Sequence, residues 1–334
     1  MKGGWLVATR KSRYEAAFVR RALFGHFWTL RPHLAHAVRP MPGPRDEPWD
    51  ATVLDPDLGA LRLTGWLRER LGSDACVVLI HGLGGSVDSR YVIECARAAD
   101  AAGLSYLRLN LRGADRSGED LYHAGLTADL RAALASPALA HFPRIYVVGF
   151  SLGGHIALRW AAEPERDPRV RAVASVCAPL DLAVSARLIQ RPLGRPYQWH
   201  VLRGLKAMYW ASSARREMPI PASEALAIKT VVEWDERIIA PRFGFPSRHV
   251  YYDRMSAGPV LAGLELPTLF VAAEADPMVT AEQLRPWLAD ASSAVSVAWT
   301  ERGGHVGFPD DLDLGLGDVG PFEPQIVRWL LRHR

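Results

Sequence analysis

RIYVVGFSLGG, residues 144–154, is the stretch from which the fold can be read. Ile145, Tyr146, Val147 and Val148 are β-branched or aromatic and almost continuously apolar, as a strand buried on both faces of a parallel sheet must be. The strand ends in Gly149-Phe150-Ser151-Leu152-Gly153, a G-x-S-x-G turn. His155, Ile156, Ala157, Leu158, Trp160 and Ala161 then read as a helix. A strand that turns abruptly into a helix at a serine strains that residue's backbone, and Gly149 and Gly153 supply the room the chain needs to pass itself. The turn lifts the Ser151 hydroxyl above the sheet edge and aims the free N–H groups of a helix N-terminus at whatever it attacks. Five letters alone recur by chance; the strand before them and the helix after them carry the reading.

Outward from this unit the pattern repeats. Residues 52–54 and 61–67, separated by Asp-Pro-Asp-Leu-Gly, predict an antiparallel hairpin with an alternating strand. Strands follow at 76–80, 106–111, 170–177, 267–272 and 295–299, interleaved with helices at 90–102, 126–134, 280–288 and 324–331. Thr280 and Gln283 have capping-box spacing. Two antiparallel strands followed by six that alternate with helices imply an α/β fold, a mostly parallel, eight-stranded, doubly wound sheet. The rhythm breaks only at 181–260, predicted to be a cap insertion between strands 6 and 7. The core is expected to comprise 51–180 and 261–334, with 1–50 as a lead-in: a short amphipathic helix at 14–23 with Arg20 and Arg21 on its polar side, then an extended run through Pro40, Pro42, Pro44 and Pro48.

Composition bounds the function. The chain of 334 residues is 49% hydrophobic and 23% charged, enough apolar content for one large core. Its 40 basic and 36 acidic residues are nearly balanced and no block of like charge suggests a polyanion track, so nucleic acid is not expected as a partner. Cys76, Cys95 and Cys177 cannot all pair and read as buried thiols of a reducing compartment. With no signal-like h-region and no apolar run of membrane length, a cytoplasmic protein is expected.

In an open α/β sheet ligands bind at the carboxyl ends of the strands, so the residues after each strand matter most. After residues 76–80 comes His81-Gly82-Leu83-Gly-Gly, a turn able to present the bare N–H of Leu83, which with that of Leu152 would form an oxyanion hole. It lacks the Lys-Ser/Thr pair and the G-x-G-x-x-G frame of a phosphate loop. Asp276 follows the seventh strand and His305 the eighth. A serine hydroxyl becomes nucleophilic when an imidazole takes its proton, and the imidazole needs a carboxylate to fix its tautomer, so Ser151, Asp276 and His305 are the expected triad. No His, Cys and carboxylate set has zinc spacing, and Asp310, Asp311, Asp313 and Asp318 lack the frame of a calcium loop; neither metal nor cofactor is expected.

The runs HGLGGSVDSRY (81–91), Arg112-Gly113 with LYHAGLTADL (121–130), GFSLGG (149–154), APRFGFPSRHVYY (240–252), AEADPMV and GGHVGF together resemble the α/β-hydrolase subfamily of the bacterial YheT-type hydrolases and the eukaryotic ABHD1/2/3-type lipases and esterases. FGHFWTLRPHL (24–34) resembles that subfamily's entry segment, so the likeness covers roughly 25–334. It implies the α/β-hydrolase fold, a serine-hydrolase triad and action on carboxylic esters, short- to medium-chain or lipid-like, with acyl transfer to an alcohol as the alternative. A non-catalytic binding protein on the same fold would normally lack a triad member. His81 and His123 are expected to support the site from behind the reacting groups, and His155 to be packed. The chain departs from the subfamily in its compact loop 114–118, which carries Asp115, and in having no N-terminal anchor like that of the animal relatives; a soluble enzyme is therefore expected.

The cap should set specificity. Val201, Leu205 and Met208 predict an apolar stripe on a helix at 197–210. From Arg187 to Arg216 there are seven Lys or Arg and no acid, interleaved with Tyr197, Trp199, Tyr209 and Trp210. The expectation is that the aromatics face an acyl pocket and the arginines face water. Peripheral membrane contact through the cap or the N-terminal segment is a weaker reading.

Overall fold

An eight-stranded sheet organises the chain. The computed structural model describes residues 10–317 and 319–334, with side chains described from Leu23 onward except that of His33. The strands are β1 (Glu47–Asp55), β2 (Gly59–Arg68), β3 (Ala75–Ile80), β4 (Ser105–Leu109), β5 (Arg144–Phe150), β6 (Val170–Val176), β7 (Thr268–Ala273) and β8 (Val295–Thr300), in the spatial order 1-2-4-3-5-6-7-8. β1 pairs antiparallel with β2 and β2 with β4; every later pair is parallel. β3 is buried along its whole length, as its sequence ACVVLI requires of a central strand.

Strand alternation divides the core in two. Val77, Leu79 and Val148 face α2 (Arg90–Ala101) and α12 (Phe322–Leu330), where Val92, Cys95, Ile326 and Trp329 meet them. Cys76, Val78, Ile80 and Val147 face α3 (Ala128–Leu134) and α4 (Leu152–Ala161), against Leu130, Ile156 and Trp160. Burying each such Leu, Ile or Val contributes roughly 1.5–3 kcal/mol, which is why these positions admit little else. All three cysteines are free and buried. Arg112 explains its Arg-Gly motif: its guanidinium pairs with Asp129 at 2.7 Å and Asp55 at 2.6 Å, tying the end of β4 to α3 and to the β1 edge.

Between β6 and β7 the chain forms only helices: α5 (Leu182–Leu188), α6 (Arg195–Ser213), α7 (Ala222–Ala227), α8 (Val231–Trp234), a π-helical turn at Asp235–Ile239, α9 (Ala240–Arg242) and α10 (Arg248–Met255). α11 (Ala281–Ala289) then leads to β8.

Three local expectations change. The N-terminal helix α1 (Arg10–Val38) is far longer than residues 14–23 and runs through Gly25 and Pro32, both poor helix formers, because it is packed against the ends of β7 and β8. The orientation of Arg20 and Arg21 lies outside the described side chains. β1 begins at Glu47, so the sheet starts before residue 51; Pro48 is tolerated because β1 is an edge strand. Thr280 is the N-cap of α11 but makes no side-chain capping bond, and Gln283 instead accepts from Ser185 of the cap at 2.7 Å.

Among the described residues no helix is long and apolar enough to cross a membrane.

Candidate active site

Ser151 sits between β5 and α4 with φ 52° and ψ −118°, a conformation that costs an L-residue strain. The neighbouring glycines permit it. A Cβ on Gly149 would lie 2.2 Å from the Gly153 carbonyl oxygen, and one on Gly153 would lie 2.4 Å from that of Ile80. The Ser151 N–H is held by the Val176 carbonyl at 2.8 Å, which fixes the elbow to β6.

The structure brings Ser151, Asp276 and His305 together. His305 Nε2 lies 2.9 Å from Ser151 Oγ, and its Nδ1 lies 2.9 Å from Asp276 Oδ2. Asp276 Oδ1 accepts the N–H groups of Met278 at 2.8 Å and Val279 at 2.9 Å, so its carboxylate has one oxygen committed to the backbone and one to the imidazole. With Nδ1–H donating to Asp276, the Nε2 lone pair is left facing the serine hydroxyl, as general-base chemistry needs. Asp276 and His305 are both buried. The Cys177 thiol approaches the Gly304 carbonyl at 3.8 Å, beside the same pair. Cys177, Asp276 and His305 are close enough to share a cation, but these polar atoms are already engaged with one another and with the backbone.

The loop after β3 shows why Leu83 is the available donor. Gly82 N–H donates to the Tyr91 hydroxyl at 3.1 Å and Gly84 N–H to the Tyr122 hydroxyl at 2.9 Å. Among the described residues the Leu83 N–H between them meets no acceptor. Gly82 packs directly on Ser151: a Cβ there would stand 3.1 Å from the serine Cβ. Leu152 opens α4, so its N–H lacks a helical acceptor. Tyr91 and Tyr122 fall inside the HGLGGSVDSRY and LYHAG runs, but nothing in their spacing announced that they would hold the two flanking amides.

His81 is fully buried. Its Nδ1–H donates to Gly82 O at 2.8 Å while Nε2 accepts Leu111 N–H at 3.2 Å, so one neutral tautomer pins the loop to the end of β4. Burial lowers its pKa to about 4. His123 hydrogen-bonds to neither Asp276 nor His305; it accepts Gly125 N–H at 3.1 Å and is enclosed by Phe243, Phe245 and Tyr251 on the cavity wall. Burial, then the charge of Arg112, lowers its pKa to about 3. His155 is packed between the carbonyls of Pro179 and Met255, 2.7 Å from each.

A cavity of about 1130 Å³ spreads from Ser151 beneath the cap, lined by Leu83, Tyr122, Leu182, Val201, Met208 and Tyr252 among others. The cap aromatics divide. Tyr197 and Tyr209 are buried, whereas Trp199 and Trp210 are 64% and 60% exposed, contrary to an all-inward arrangement. Trp199 stands at the cavity rim with the Arg203 guanidinium 5.8 Å from its ring, a cation–π contact that water-facing residues can keep.

Residues 76–200 match the profile of the α/β-hydrolase fold family. The putative esterase YheT of Escherichia coli is 31% identical over 245 residues, covering 70% of each chain. Medium-chain fatty acid ethyl ester synthase/esterase 2 of Saccharomyces cerevisiae is 26% identical over 263 residues, covering 70% of this chain and 58% of its own, so this chain spans less than two thirds of that relative. Among solved structures, the Pyrococcus furiosus esterase Pf2001 superposes with a TM-score of 0.51 at 18% identity, over 78% of this chain and 85% of its own; that likeness is one of fold. The elbow at Ser151, the sheet order and the relationship to YheT converge: the chain belongs to the α/β-hydrolases, in the branch of the YheT and ABHD-type esterases.

Proposed function

We propose that the protein is a serine hydrolase that cleaves carboxylic esters through an acyl-enzyme. The observation that carries this reading is the continuous line from Asp276 through His305 to Ser151, 2.9 Å at each step, opening on a largely apolar cavity. Ser151 Oγ attacks the ester carbonyl as its proton passes to His305 Nε2. Asp276 stabilises the imidazolium, and the Leu83 and Leu152 N–H groups receive the oxyanion. His305 returns the proton to the leaving alcohol, whose C–O bond breaks. Water, deprotonated by the same nitrogen, then releases the acid.

The cavity exceeds the 300–1000 Å³ typical of small-ligand pockets, which favours a medium or long acyl chain or a lipid-like ester over an acetyl group. Transfer of the acyl group to an alcohol uses the same intermediate and differs only in which nucleophile enters. Exposed Leu34 of α1 and Trp199 of α6 flank the cavity mouth and supply a surface for lipid contact.

Replacing Ser151 by Ala should reduce hydrolysis of a p-nitrophenyl ester by on the order of 10⁶-fold. Turnover at the wild-type rate in that variant would refute the assignment. Acyl chains from acetyl to palmitoyl, each assayed with and without ethanol, separate hydrolysis from transfer by whether acid or ethyl ester accumulates.

A further inference from the structure

The loop that carries His305 is strained. Val306 has φ 50°, which a β-branched residue rarely adopts, and Gly303 has φ 143°. Around His305 the turn is closed by Gly304 N–H to Gly307 O at 2.9 Å. Strained turns hold one geometry when their surroundings over-determine them. Here the surroundings include α1, which lies before the sheet in sequence. Thr29 Oγ1 accepts the backbone N–H of His305 at 2.8 Å and donates its own proton to Gly25 O at 2.8 Å, so both functions of the hydroxyl are used. Thr29 is buried.

The fit around this bond is close. A Cβ on Gly304 would stand 2.2 Å from Gly25 O, one on Gly307 2.2 Å from Trp28 O, and one on Gly25 1.7 Å from the carbonyl of Ala275, the residue before Asp276. The Trp28 carbonyl is the one that Pro32 deprives of its helical N–H. α1 therefore rests on the loops of both the acid and the base. From the adjacent turn of α1, His26 reaches the cap: its Nδ1 and the Tyr197 hydroxyl share a hydrogen bond of 2.6 Å and the two rings stack at 5.7 Å.

We propose that Thr29 is a positioning residue for His305, and that α1 is a working part of the active site which fixes the base and, through His26 and Tyr197, seats the cap over it. The inference rests on the serine-hydrolase reading. Its action is on the main chain of His305: with that N–H held, the imidazole keeps the orientation that reaches Ser151 and Asp276 together.

Thr29→Val is nearly isosteric but removes the acceptor, Thr29→Ser restores it, and Ser151→Ala serves as the reference. Steady-state kinetics on a p-nitrophenyl ester count only folded enzyme when the wild type and the Thr29 variants are normalised to the fraction labelled at saturation by a fluorophosphonate, and S151A, which has no hydroxyl to label, to its folded fraction by circular dichroism. The expected result is a kcat for T29V lower by ~10–100-fold with KM within about twofold, and recovery of most of the loss in T29S. Where T29V does not fold, T29A makes the same comparison. Wild-type kcat in T29V, or a loss that T29S does not recover, overturns the inference while an inactive S151A leaves the hydrolase reading standing. An active S151A would overturn that reading itself.

Discussion

At the scale of single residues, the site depends on where one proton sits. Asp276 divides its oxygens: Oδ1 takes two backbone N–H groups and Oδ2 takes the His305 Nδ1 proton. Asp276→Asn keeps the shape but not the polarity. Its amide oxygen will stay with the Met278 and Val279 amides, which offer only donors, so its NH₂ group will face His305. The imidazole must then accept at Nδ1 and carry its proton at Nε2, where it can no longer take the one on Ser151. The expected result is a fall in kcat of about four orders of magnitude with a nearly unchanged melting temperature, measured by ester hydrolysis and thermal unfolding. A kcat within tenfold of wild type would mean that Asp276 does not set the tautomer.

At the scale of elements, α6 and the loop after β3 are in direct backbone contact. A Cβ on Gly204 of α6 would lie 2.4 Å from Gly84 O, and one on Gly84, itself at φ 73°, would lie 2.9 Å from Val201 O. Gly204→Ala must therefore push α6 and the loop carrying Leu83 apart. We expect kcat/KM for p-nitrophenyl butyrate to fall by about tenfold or more; an unchanged value would show that the Leu83 amide is placed independently of the cap. The elements legible in the sequence were those whose cause is local. Central strands such as CVVLI announce themselves by composition, and Ser151, Asp276 and His305 each stand on the turn or loop that follows a strand, where fold geometry gathers side chains. The sequence predicts this first helix, α1, only over 14–23; beyond it Gly25 and Pro32 disfavour a helix on propensity, while the close backbone approach to Gly304 and Gly307 that favours it is invisible without the tertiary structure. Thr29, Tyr91 and Tyr122 act through backbone N–H groups of distant loops, so no side-chain pattern exposed them. In the cap, a helix without acids offered no charge contrast to tell which tryptophans face water.

At the scale of the whole molecule, three histidines are folded into surroundings that oppose their charged form. Burial lowers the pKa of His81 to about 4, of His123 to about 3 and of His155 to about 4, the last despite two carbonyl neighbours that favour a proton. Unfolded, each titrates near ~6.5. Between that value and the native one, the unfolded chain binds more protons than the folded chain, so stability rises with pH across the window. It is fully present above about pH 6.5 and is lost progressively as the pH falls toward 4 and then 3. The melting temperature should therefore be flat with respect to these groups at neutral pH and drop steeply on acidification. His123 offers the cleanest test, because it is enclosed by Phe243, Phe245 and Tyr251 and its one hydrogen bond is as an acceptor from Gly125. His123→Asn keeps an acceptor within reach of that N–H but cannot titrate. Its melting temperature, followed by calorimetry from pH 7 to pH 4, should decline less steeply than that of the wild type, by the contribution of about one proton. An identical slope in the two proteins would mean that His123 takes up its proton in the folded state as readily as in the unfolded chain, and the acid lability would then have to come from the other histidines whose pKa burial lowers, His81 and His155 foremost.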